Sequence, residues 1–169
     1  MLNLKMLKMF LAMLPVLLTT LPAVATMLPA DMDNLVSSAE SVVTGRVVSL
    51  DSHWLDGTGS IIVTEVGFEV DEVWMGSKQQ PGEKISVRII GGEVGDIGMR
   101  QQHQPTFKME EEAILFLKVR GDGELGIAQA EQGVFRAHGD KLWGHLTGVK
   151  TLSGFRTSLE DSKQNHGRQ

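Results

Sequence analysis

The feature that most constrains this chain is the stretch from Ile61 to Gly76, IIVTEVGFEVDEVWMG. Ile62, Thr64, Val66, Phe68 and Val70 fall on one face of an extended strand, and Val63, Glu65, Gly67, Glu69 and Asp71 on the other. A period of two, rich in β-branched and aromatic residues, is what a half-buried β-strand requires. The alternation fails at Asp71-Glu72, because Val73 is apolar out of phase. A bulge or sharp bend there would re-aim the chain, as small closed sheets require.

The segments around it follow the same grammar. Asp31 to Ala39 reads as a short helix, with Asp31 as its cap and Leu35 and Ala39 marking an apolar side. Ser41 to Leu50 is a strand whose interior Gly45 signals a bend or a close backbone approach. Asp51 to Ser60 reads as a polar loop carrying Trp54 into the long strand, and Pro81-Gly82 as a turn. Lys84 to Ile90 alternates again, and antiparallel pairing would set Lys84 and Arg88 against Glu65, Glu69 or Asp71. Gly91 to Phe107 reads as a long glycine-punctuated loop. Ala113 to Val119 is a nearly continuous apolar run, the mark of a central strand. Short strands follow at Leu125–Gln129, Val134–Ala137 and Lys141–Trp143. The polar stretch from Ser153 to Gln169 reads as a frayed helix or a disordered tail. Closely spaced strands with glycine-based turns point to an all-β sandwich or barrel in one domain, with a short N-terminal helix and a flexible C-terminal tail.

Composition bounds the cellular setting. Lys5 and Lys8 precede an apolar run from Met9 to Leu18, and Ala23-Val24-Ala25 follows as a small-residue cleavage site. Residues 1–25 therefore read as a secretory signal cut after Ala25, with the barrel domain at 26–152 and the tail at 153–169. The expected location is secreted or periplasmic, with no stable membrane anchor after cleavage. Cleavage removes two of the 16 Lys and Arg and none of the 21 Asp and Glu, leaving a formal charge of −7. An acidic chain without a basic cluster argues against nucleic acid. With no Cys there is no disulfide, thiolate metal site or Cys nucleophile.

The succession VVTGRV, Trp54, IIVTEVGFEVDEVWMG, GG, PTF, EEEAILFL and GVFR resembles a family of small exported bacterial proteins without assigned function, some fused to exported peptidases. More distantly it is similar to the netrin-like domain of the tissue inhibitors of metalloproteinases. The resemblance spans Ala39 to Arg136 and rests on apolar positions and glycines. It implies an OB-like Greek-key barrel, which the strand count permits, so the expected fold is an all-β, five- to six-stranded barrel of that kind. Two departures stand out. Met109-Glu110 occupies the place of a glycine common in the bacterial family. The inhibitors also reach the catalytic zinc through an N-terminal cysteine, which this chain lacks, so that mechanism does not carry over.

No catalytic constellation is legible. His53, His103, His138, His145 and His166 form no H-x-x-x-H or HExxH pattern. Asp51-Ser52-His53 are adjacent on an extended chain and point apart, and no G-x-S-x-G elbow exists for Ser52, Ser60 or Ser153. The Gly91 loop lacks a P-loop Lys-Ser/Thr and the dinucleotide spacing. Glu110-Glu111-Glu112 are neighbouring carboxylates expected to diverge. No cofactor or metal is expected. The expected role is a non-enzymatic module engaging another exported protein through Trp54, Gly91, Gly92, Gly95, Asp96 and Arg100. The alternatives are an inhibitor or accessory of an exported peptidase and a hydrolase with a site assembled in space.

Overall fold

A computed structural model describes residues 31–55, 59–145 and 151–167. The signal segment with Ala25, and the Gly57 turn, lie outside the described residues. Helix α1 (Met32–Ser38) leads into strands β1 (Ser41–Trp54), β2 (Ile62–Met75), β3 (Lys84–Val94), β4 (Ile97–Arg100), β5 (Glu112–Val119) and β6 (Leu125–Ile127). A 3₁₀ turn (Ala130–Gly133), β7 (Val134–His138), β8 (Lys141–Trp143) and helix α2 (Leu152–His166) complete the chain.

Five strands close a barrel in the order β1-β2-β3-β6-β5, and β5 pairs back onto β1. All of these pairings are antiparallel except β3–β6, where Val87 opposes Leu125 in parallel. The closed barrel decides between the sandwich and the barrel that the strand pattern left open, and its strand order is the OB-like Greek key that the resemblance implied. β4 hangs from β3, and β7 and β8 extend the sheet beyond β5.

The long alternating strand behaves as its pattern demands. Ile62, Thr64, Val66, Phe68 and Val70 are buried. The register against β1 slips between Thr44↔Glu72 and Gly45↔Val70, leaving Asp71 as the extra residue of a bulge. Glu65 opposes Arg88 and Glu69 opposes Lys84 across β2–β3. Gly45 sits in the close approach its position suggested: a Cβ there would lie 2.0 Å from the Glu69 carbonyl oxygen and 2.7 Å from the Phe68 ring.

Two apolar cores explain why β5 is continuously apolar. Ala113, Leu115 and Leu117 point into the barrel with Val43, Val66, Phe68 and Val87. Ile114 and Phe116 point outward into a second core with Leu35, Trp74, Phe135, Phe155 and Leu159. Both helices cap that outer face. Asp31 caps α1 by accepting the Asn34 N–H at 2.8 Å, and Thr151 caps α2 by accepting the Gly154 N–H at 3.1 Å.

Three expectations need correction. Of the frayed helix or disordered tail read from Ser153, the helix is what forms, over Leu152–His166, and it is docked rather than frayed: Phe155 and Leu159 are fully buried, and a four-residue spacing puts them on one helical face. Asp51 to Trp54 is not loop but the end of β1, paired with Ile62 to Glu65. Backbone hydrogen bonding is indifferent to the polarity of the exposed side chains. Gly91 to Arg100 is likewise a β-hairpin, with Gly91 opposing Arg100 and Val94 opposing Ile97. Its two-residue turn has Gly95 at φ +61° and is of the II′ kind, which suits the twist of a hairpin.

Candidate functional site

β3 leaves the barrel at Gly91 and Gly92. Their φ values of +112° and +138° lie where side-chain-bearing residues are strained. A Cβ on Gly92 would also meet Thr64 Oγ1 at 2.3 Å and Ser52 Oγ at 2.5 Å. The kink swings the β3–β4 hairpin away from β1 and opens a cleft of about 350 Å³ at this end of the barrel. Leu50 and Ser52 of β1, Thr64 of β2, Ile89 to Glu93 of β3, Met99 to Gln101 and Gln104 to Phe107 form its walls.

The polar part of the cleft is a chain of hydroxyls. Thr64 Oγ1 donates to the Gly91 carbonyl at 2.6 Å. Its only hydrogen is thereby used, so Ser52 donates in the 2.8 Å contact between the two hydroxyls. Ser52 is thus oriented by Thr64, and no His lines the cleft to activate it. The remaining charges on the walls are Glu93 and Arg100, set on an otherwise mostly apolar and backbone-lined surface. A mostly apolar cleft with a few convergent polar groups is the kind of surface on which a ligand can be oriented.

Of the residues singled out from sequence, Gly91, Gly92 and Arg100 line the cleft. Gly95 and Asp96 form the hairpin turn at its far tip, and half-buried Trp54 ends β1; neither group lines it. Sequence reasoning missed Leu50, Ser52, Thr64 and Met99. The inward phase of Thr64 was legible, but its convergence with Ser52 depends on the β1–β2 register.

Elsewhere several charged groups pair across the fold. Glu65 accepts from Arg88 at 2.5 Å and from Ser86 at 2.8 Å. Partial burial pushes its carboxyl up, but these bonds outweigh burial and hold it below the ordinary carboxylate value. Arg88, raised chiefly by Glu65, also approaches Asp122 at 3.7 Å. Glu72 is held down first by the Trp74 indole N–H at 2.9 Å and then by Arg156 at 2.6 Å. Glu110, Glu111 and Glu112 do diverge: Glu111 pairs with Arg136, Glu110 approaches Arg46 at 3.5 Å, and Glu112 is exposed. His145 lies 3.6 Å from Glu131, and His166 contacts its own helix at the Ser162 carbonyl. Among the described residues no three His, Asp or Glu converge as a metal site would require. No family model matches the chain, and no curated protein is significantly similar to it.

Proposed function

We propose that this protein is an exported, non-enzymatic binding module that takes an extended segment of another exported protein into the cleft between β1 and the β3–β4 hairpin. One observation carries the reading: a preformed, mainly apolar cleft is held open by a Gly91–Gly92 kink whose carbonyl is tied down by Thr64. The volume of about 350 Å³ suits one or two side chains of a bound segment. Arg100 at the rim supplies a cation for a carboxylate or carbonyl of the partner, and the exported location follows from the N-terminal sequence.

The test is affinity capture from the producing cell's exported proteins, with two cleft variants alongside. Arg100→Glu reverses the rim charge, and Thr106→Trp fills the exposed mouth without touching either core. A recurrent partner retained by the parent protein and reduced at least tenfold by both variants supports the reading. A blank with the parent protein, or capture indifferent to both variants, overturns it.

A further inference from the structure

The cleft uses side chains of β1; the backbone of the same strand is also unspent. Leu55 N–H donates to Ile61 O at 2.8 Å, and the register then runs without a slip from Trp54↔Ile62 to Ser49↔Gly67. Antiparallel pairs alternate between hydrogen-bonded and non-hydrogen-bonded. His53 and Asp51 share the phase of Leu55 and bond to β2. Leu50, Ser52 and Trp54 have the opposite phase and aim their N–H and C=O groups away from it. The direct contact of Ser52 with Thr64 fits, since non-hydrogen-bonded pairs bring side chains closer. On that edge Val47 is taken by Glu110 and Glu111. Beyond Val47, no described strand pairs with it.

We propose that a second copy of the chain covers this edge, the two β1 strands pairing antiparallel about a two-fold axis through Ser52. The strand is complementary to itself in that register. Leu50 meets Trp54 of the partner subunit, an aliphatic-on-aromatic pair, and Asp51 meets His53 of the partner subunit, a carboxylate against an imidazole N–H. Within the chain Asp51 stands opposite Glu65, whose charge is engaged by Arg88. Among the described residues it forms no ion pair of its own. Leu50, Leu55 and Ile61, 37%, 46% and 38% exposed, sit along the same edge and hairpin, where a symmetric contact would cover them. A bare edge that is neither blunted by proline nor capped by another element pairs readily. The backbone groups of the edge lie in the sheet while most cleft side chains stand normal to it, and Leu50 is the residue whose side chain is common to both.

The absence of Cys from the chain allows a register-specific test. One preparation carries Asp51→Cys and a second His53→Cys, each first shown to melt as the parent does. The proposed pairing places position 51 beside position 53 of the other copy within disulfide reach, about 4.5 Å between Cα atoms. Identical positions fall outside that reach. Under oxidation the mixture should yield a covalent dimer and neither preparation alone should. Sedimentation equilibrium of the unaltered protein should independently give the dimer mass. A monomer mass at all concentrations up to about 100 µM overturns the proposal. So does cross-linking within either single preparation as efficient as in the mixture, or none at all. Loss of cleft binding by Arg100→Glu leaves the dimer readout unmoved, so the two readings fail separately.

Discussion

Glu110 holds φ at +62°, a left-handed conformation that costs an L-residue about 1–2 kcal/mol. Its ion pair with Arg46 is exposed on both sides and offsets little of that. Glu110→Gly is expected to raise unfolding stability by about 0.5–1 kcal/mol, the strain relief exceeding the added chain entropy. A fall in the urea midpoint would contradict it. Gly45 is the opposite case. Its missing side chain is required by the Glu69 carbonyl and the Phe68 ring, so Gly45→Ala should cost about 3 kcal/mol or more, read by chemical denaturation. The close approach at Gly45 was legible from its place inside a strand, whereas the left-handed angle at Glu110 shows only in the backbone.

At the scale of elements, α2 decides whether the outer core exists. Phe155 packs on Phe135 with ring centres 4.7 Å apart and touches Phe116 and Trp74 at 6.1 and 6.2 Å. Arg156 stacks on the Trp74 ring at 4.9 Å, and Lys163 donates to the Trp74 carbonyl at 2.9 Å. Ser162 reaches Asp33 of α1 at 2.5 Å. Phe155→Ala should cost about 3–5 kcal/mol in thermal or urea unfolding, because it empties a fully buried site shared by four aromatic rings. Arg156→Ala should cost about 1 kcal/mol or less, since Arg156 and its charge partner Glu72 are both largely exposed. If the two variants proved equally harmful, charge rather than burial would be anchoring the helix.

For the molecule as a whole, the acid limb of stability follows from the paired carboxylates. Glu65 and Glu72 are held below the ordinary value of 4.5 in the folded state. Their contribution is therefore fully present above that value and is lost as pH falls through the lower folded value. Unfolding stability should stay level from neutral pH down to about pH 5 and decline below it. Glu72→Gln should be less stable than the parent at pH 7, and the difference should close as the acid limb is descended. A variant difference that widened in acid would reverse the sign assigned to this pair. No helix among the described residues is long and apolar enough to cross a membrane.

The barrel was legible in the chain because burial on one face of a strand imposes a period of two, and one strand of 14 residues shows it almost uninterrupted. The bulge at Asp71, the Gly45 approach and the Glu65–Arg88 register could be read for the same reason: each breaks or completes that local alternation. The C-terminal helix was legible only as one of two alternatives and its docking not at all, since Phe155 and Leu159 in a polar segment carry a weak signal and the helix is stabilised mainly by the surface it lands on. The extension of β1 through Trp54 and the β3–β4 hairpin were hidden likewise. Their hydrogen bonds run between backbones, to which side-chain polarity is blind. Of the cleft, the glycines that permit the kink could be seen, but not the wall opposite. Ser52 and Thr64 lie 12 positions apart, and Thr64 and Gly91 lie 27 apart. Sequence alone determined which residues could bend or alternate; only the closed sheet decided which of them face one another, because strand pairing is a contact between distant segments that no local pattern specifies.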